Sequence, residues 1–262
     1  MLRPVRPLGL TPWPLFRPLW VKRFKSLGWA GRSLTAPFTA TARIPQAESS
    51  SATEERVRRA LLYVPGSDES KVKKSLGSTA DCVVYDLEDS VAANRKGAAR
   101  ELVYDALKLG REDGPELAVR INAVGSGLEF DDLNVILQSK RLQTILIPKV
   151  ESAKDIDFVA KLIDVVSPTS TRGTLRLIAS IESALAVVNL REIATASPRV
   201  DALLFAAEDF CADMGLHRTP GKSELLYGRS AVATAAHAFG LQAIDLVSVP
   251  TTWAATAGIP GC

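Results

Sequence analysis

Three cysteines in 262 residues (Cys82, Cys211 and Cys262) are too few and too widely spaced for a disulfide framework or a zinc cluster. Only two histidines occur, His217 and His237, so no histidine pair supports a transition-metal site. His237 lies among alanines at helical spacing and reads as a packed residue. No glycine-rich turn matches a dinucleotide fingerprint or a P-loop. No apolar run is long and uncharged enough for a membrane span. Acids are missing from residues 1–47, which hold Arg3, Arg6, Arg17, Lys22, Arg23, Lys25, Arg32 and Arg43. That leaves 24 bases against 29 acids from residue 48 onward, so the folded part has no basic excess for nucleic acid.

The basic, acid-free first 47 residues also hold seven of the fifteen prolines and three of the four tryptophans, which excludes a helix-rich core. They have the composition of an organelle-targeting presequence, and mitochondrial import to the matrix is the expectation. Their prolines also suit a disordered basic tail. Residues 48–59 read as a Ser-rich linker, and the expected domain covers 60–247.

Within that domain one unit repeats. Apolar, β-branched runs at 60–64, 82–87, 117–122, 144–150, 175–181, 202–207 and 243–249 alternate with helical spacing at 68–76, 92–108, 129–140, 153–166, 184–195 and 222–239. The runs are apolar at nearly every position, which predicts parallel strands buried on both faces. The expected fold class is α/β, a TIM (β/α)8-type barrel with seven strand signals; an open doubly wound sheet is the alternative. Polar residues decide between them. Asp86, Glu88 and Asp89 follow the second run, Arg120 and Asn122 the third, Lys149 the fourth, Glu182 the fifth, and Glu208 and Asp209 the sixth. A barrel gathers such carboxyl ends into one ring, whereas an open sheet strings them along an edge.

Carboxylates projected into one pocket repel unless they share a proton or a cation, and a hard divalent ion is held by two carboxylates and waters. Glu182 and Asp209 on neighbouring strands are the pair expected to do this. The remaining coordination positions suit a 2-keto acid, with Arg120 holding its carboxylate. The competing reading is a buried ion-pair network that stabilises strand ends. Lys149 could instead act as the Schiff-base lysine of a metal-independent aldolase.

Seven co-linear motifs carry a resemblance. Leu62-Tyr63-Val64-Pro65-Gly66, Asp86-Leu87-Glu88-Asp89, Val119-Arg120-Ile121-Asn122, Ile147-Pro148-Lys149-Val150, Ile181-Glu182-Ser183-Ala184, Ala207-Glu208-Asp209-Phe210 and the run from Ala238 to Asp245 resemble the citrate lyase beta-subunit family of HpcH/HpaI aldolases. The resemblance implies a TIM barrel, usually trimeric, that binds Mg²⁺ and a CoA thioester. It implies cleavage of citramalyl-CoA to acetyl-CoA and pyruvate, with malate synthase-like condensation and thioesterase side activities. The partners implied are an acyl-CoA thioester and a 2-keto acid such as pyruvate, oxaloacetate or glyoxylate.

By the same resemblance, Glu182 and Asp209 are the metal ligands, Arg120 the substrate-carboxylate arginine, Tyr63 the residue at the thioester end, and Lys71 and Lys74 the contacts to CoA. Asp86, Glu88, Asp89 and Lys149 stand behind them. The sequence departs from the family at Ser70, Ser183 and Ala206-Ala207. Residues 248–262 read as a tail foreign to the family, without an eighth strand or the C-terminal segment that supplies the family's catalytic acid. No catalytic residue is therefore assigned, and a catalytically defective form that pairs with full-length subunits is a further expectation.

Overall fold

A computed structural model describes residues 56–245. Seven parallel strands form one sheet in strict chain order: β1 (Leu61–Pro65), β2 (Cys82–Asp86), β3 (Glu116–Arg120), β4 (Thr144–Ile147), β5 (Arg176–Ile181), β6 (Val200–Phe205) and β7 (Gln242–Ile244). A doubly wound sheet would reverse its strand order at a switch point. Sequential order without reversal is barrel order, so the open-sheet alternative falls away. The predicted presequence, most of the linker and the tail lie outside the described residues.

The register shows why every strand position is apolar. Val84 pairs with Ala118 and Leu146 with Ile178, and these side chains join Cys82, Ala202 and Leu204 in a compact cluster on the concave face. The alternate positions, Val83, Val119, Ile145, Leu177 and Leu203 among them, belong to a larger cluster under the helices. Alternation is present, but both faces are buried, so it leaves no polar stripe.

The helices are α1 (Glu69–Ser75), α2 (Lys96–Leu109), α3 (Glu129–Ile136), α4 (Ala153–Val166), α5 (Thr169–Arg172), α6 (Ala184–Val188), α7 (Leu190–Thr195), α8 (Ala207–Met214) and α9 (Leu226–Ala238). Their ends are chemically marked. The Asp68 carboxylate accepts from the Lys71 N–H at 3.1 Å to start α1, and a Ser152–Asp155 capping box starts α4. Three differences from expectation stand out. The stretch 184–195 breaks at Asn189, whose amide donates to the Glu151 carbonyl at 2.8 Å. The stretch 129–140 stops being helical at Ile136. The sixth strand, expected to run to Ala207 with Glu208 and Asp209 at its end, stops at Phe205, and residues 207–214 form α8, which moves Asp209 into a first helical turn.

The curl of the sheet is visible at its amino-terminal end. Arg58, which precedes β1, bonds Glu116 of β3 at 2.7 Å, Asp201 of β6 at 2.9 Å and Gln242 of β7 at 3.3 Å. One side chain reaches strands at opposite sides of the sheet only if the sheet has rolled around it. A register shift between β5 and β6 inserts Asp201 as an extra residue, the two-against-one count of a bulge. Gly66 ties the first loop to the second strand. Its N–H donates to the Asp86 carbonyl at 2.8 Å, and a Cβ there would lie 2.7 Å from that oxygen, so only glycine fits.

Candidate active site

The carboxyl ends of β2 to β5 bring most of the singled-out residues together. Asp86 ends β2 and is buried; it accepts from Arg120 Nε at 2.7 Å and Nη2 at 2.8 Å, and from the Glu88 and Ser90 N–H groups. Burial pushes the Asp86 carboxyl up, but the Arg120 guanidinium outweighs it and holds the group below its usual range. Arg120 also approaches Glu88 at 3.0 Å. Glu88 in turn receives Lys149 Nζ at 2.5 Å, and Lys149 lies 3.4 Å from the exposed Asp89. Burial raises the Glu88 carboxyl, with Lys149 and Arg120 opposing it.

Asp86, Arg120, Glu88, Lys149 and Asp89 thus form a continuous ion-pair chain, the network that competed with the substrate-binding reading. Two of the five N–H donors of Arg120 are spent on Asp86, and Nη1 lies in ion-pair range of Glu88 without a hydrogen bond to it, which leaves three donors for a ligand.

Lys149 sits at φ 50°, one of two non-glycine residues with positive φ among the described residues. A lysine held in the left-handed region needs surrounding structure to enforce it. Here the Pro148–Lys149 turn points the side chain at Glu88. Ion pairing with Glu88 and Asp89 raises the ammonium despite partial burial, which keeps it protonated and works against a Schiff-base role.

Glu182 behaves differently. It follows β5, is 3% exposed, and neither carboxylate oxygen has a hydrogen-bond partner of normal geometry. Burial, reinforced by the charge of Asp209, pushes its carboxyl up to about 7, although the Ser180 hydroxyl and the Lys149 N–H offset a little of the rise. Asp209, in the first turn of α8, is half-buried. A buried carboxylate with two bare oxygens beside a second carboxylate is what a hard cation fits. Among the described residues no group of three or more His, Cys, Asp or Glu side chains gathers to hold a metal, so a cation beside Glu182 would find at most this pair of carboxylates.

The residues expected at the thioester end also meet. Tyr63 lines a cavity of about 510 Å³ with Lys71, Lys74, Ser75, Ser78 and Thr79. The same Tyr63 ring faces the Arg120 guanidinium at 5.2 Å, and burial raises its hydroxyl. One aromatic side chain therefore connects the lysine-lined cavity to the mouth of the barrel. Lys71 and Lys74 are exposed, and Lys71 pairs with Asp68 at 3.2 Å. A smaller cavity of about 310 Å³ lies against β7 and α9, lined by Phe205, Leu226, Arg229 and Ile244, away from these carboxylates.

One supporting group escaped sequence reasoning. Lys96 opens α2 and donates to the Leu87 carbonyl at 2.7 Å, the Glu88 carbonyl at 2.8 Å and the Asn122 side chain at 2.6 Å. Asn122 donates to the fully buried Asp132, which Arg100 also holds at 2.6 Å. Together they brace the loop that carries Glu88. A lysine at a helix amino terminus opposes the helix dipole, and that mismatch was the available signal.

A model of the HpcH/HpaI aldolase/citrate lyase family matches residues 59–257. The citrate lyase subunit beta of Leuconostoc mesenteroides subsp. cremoris is 40% identical over 195 residues, covering 74% of this chain and 64% of that protein. The mitochondrial citramalyl-CoA lyase of Homo sapiens is 39% identical over 203 residues, covering 73% and 59%. This chain thus spans about three-fifths of the length of these curated relatives. Among solved structures, CitE of Mycobacterium tuberculosis in complex with magnesium, acetoacetate and coenzyme A superimposes with a TM-score of 0.60 at 29% identity, covering 75% of this chain and 69% of that one. With three-quarters of its length matched and seven parallel strands in barrel order, the chain belongs to the HpcH/HpaI aldolase/citrate lyase family.

Proposed function

We propose that this chain is a Mg²⁺-dependent carbon–carbon lyase acting on a 3-hydroxyacyl-CoA thioester, with citramalyl-CoA cleaved to acetyl-CoA and pyruvate as the reaction. The observation that carries the reading is Glu182, whose two buried oxygens lack partners beside Asp209 at the carboxyl end of a parallel barrel. These two residues would hold the ion. When bound, Mg²⁺ supplies positive charge that offsets the negative charge developing on the keto-acid oxygen.

The chain's own residues do the rest. The N–H donors of Arg120 not spent on Asp86 hold the substrate carboxylate, while the two bonds to Asp86 fix the guanidinium plane and Glu88 adds charge beside it. Tyr63 stands between that carboxylate and the cavity of Lys71 and Lys74, where the phosphates of CoA find cationic partners. Lys149 offsets the charge of Glu88 and Asp89, which would otherwise repel an anionic substrate. In the reaction the hydroxyl proton leaves as the keto group forms, and the bond between the carbinol carbon and the thioester methylene breaks. Its electron pair passes to the methylene carbon, delocalised onto the thioester carbonyl, and a proton returned there yields acetyl-CoA.

Residence in the mitochondrial matrix and assembly as a homotrimer belong to the same proposal. They rest on the composition of residues 1–47 and on the resemblance. No helix among the described residues is long and apolar enough to cross a membrane.

The test is pyruvate release from citramalyl-CoA by the purified chain, with and without Mg²⁺, beside Glu182→Gln. Metal-dependent release that Glu182→Gln abolishes is the expected result. A folded wild-type chain that releases no pyruvate with Mg²⁺ present overturns the reading. Pyruvate trapped by borohydride on Lys149, with activity that survives chelation, would replace it with the Schiff-base mechanism.

A further inference from the structure

The amino-terminal floor of the barrel, opposite the candidate active site, gathers four guanidinium groups against three carboxylates. Arg58 is saturated by Glu116 and Asp201. Arg56 pairs with Glu116 at 2.8 Å, and Arg199 with Asp164 at 2.7 Å. Arg176, the first residue of β5, has no carboxylate within ion-pair distance among the described residues. Its Nη1 makes only long bonds to the Gly173 carbonyl at 3.3 Å and the Leu175 carbonyl at 3.4 Å.

Backbone carbonyls hold these groups side by side. Arg199 Nη1 shares the Leu175 carbonyl with Arg176, at 3.3 Å, while Arg56 Nη2 donates to the adjoining Thr174 carbonyl at 2.9 Å. Arg56 also donates to Thr144, the residue paired in register with Arg176. Three like charges thus converge on one short segment, and one of them lacks a counter-charge. Burial and the neighbouring Arg56, Arg199 and Arg58 together pull the Arg176 guanidinium below its ordinary range, with Asp201 opposing them only in part.

We propose that Arg176, flanked by Arg56 and Arg199, forms a binding site for a tetrahedral oxyanion of the phosphate class on the floor of the barrel, separate from the candidate active site. A planar carboxylate is satisfied by one guanidinium fork. Arg56 and Arg199 have given most of their terminal N–H groups to Glu116, Asp164, Thr144 and backbone carbonyls. Arg176 therefore supplies the open fork, and its two neighbours the added positive charge that favours a multiply charged anion over a single carboxylate. Binding there removes the repulsion among the arginines, so the ligand stabilises the native chain by mass action.

The experiment is calorimetric titration of the full chain with inorganic phosphate, with melting temperatures followed in parallel. The variants are Arg176→Gln and, as a control for the lysine-lined cavity, Lys71→Gln/Lys74→Gln. Wild type and the lysine double variant are expected to bind one phosphate and to melt higher in its presence. Arg176→Gln should weaken binding by about tenfold or more, and without phosphate it should melt no lower than wild type, because it removes an uncompensated charge. The proposal is overturned if wild type shows no binding up to about 10 mM phosphate, if the lysine variant loses the site instead, or if Arg176→Gln binds phosphate as wild type does. A melting temperature for Arg176→Gln well below wild type without phosphate also overturns it, since Arg176 would then be an ordinary structural residue.

Discussion

The two ends of the barrel use the same residue types to opposite effect. On the floor, Glu116 accepts from Arg56, Arg58 and Thr144, and although burial alone would raise it, these partners hold its carboxyl at about 2. At the mouth, Glu182 is more deeply buried and has no such partner, and its carboxyl is pushed up to about 7. A saturated buried acid ties strands together, whereas a bare one has been left for a ligand.

The largest effect that could break this contrast is on activity. Glu182→Gln should lower Mg²⁺-dependent pyruvate release by about 10³-fold or more and abolish magnesium binding measured by calorimetry, with the circular dichroism spectrum unchanged. If the variant binds Mg²⁺ as wild type does, Glu182 is not a ligand and the contrast loses its meaning.

Next comes stability. Glu116→Gln leaves the almost fully buried Arg58 short of a counter-charge, and denaturant melts should show a loss of roughly 3–5 kcal/mol. A loss well under 1 kcal/mol would show the floor network to be dispensable.

The pH dependence sharpens the comparison because the signs oppose. Both acids have an ordinary value of 4.5. The folded chain binds the Glu182 proton more tightly than the unfolded chain, so this group's contribution without metal diminishes as pH rises from about 4.5 to 7. Glu116 is depressed, so its contribution is present above 4.5 and is lost as pH falls towards 2. Each is expected to amount to a few kcal/mol. Metal-free melts of wild type and Glu182→Gln should therefore diverge above pH 5, with the variant the more stable at pH 8. Coincident curves would contradict this.

Smaller effects separate the members of the mouth network. Arg120→Lys keeps the charge but loses the fork, and should weaken apparent binding of the keto acid about tenfold in steady-state kinetics. Asp89→Asn removes only an exposed, long contact to Lys149 and should change the same parameters by less than about twofold. An equal loss in both would mean that the ion-pair chain acts as one unit.

Much of the fold is legible in the residues. Each of the seven apolar runs contains or overlaps a strand, and α4 coincides with its predicted stretch because a capping box starts it and Ser167 ends it. The failures are local. Asn189 splits a continuous helical pattern through a bond to a residue 38 positions away. Residues 207–214 carry too little apolar periodicity beside a strand to announce α8. Of the site, the positions of Asp86, Arg120, Lys149 and Glu182 at or just beyond strand ends could be read directly. Their pairing could not, since Glu88 lies 61 residues from Lys149 and Lys96 lies 26 from Asn122.

The sequence by itself determined the parallel strands and the end of the sheet at which the polar residues collect, because burial on both faces and the strand–helix repeat are local patterns. Only the tertiary structure decided which charges are neutralised. Arg58 reaches Asp201 across 143 residues and Gln242 across 184 because the sheet rolls around it. The same curl leaves Glu182 buried without a partner, and the Coulomb interactions that separate these acids depend on distances that no stretch of chain encodes alone.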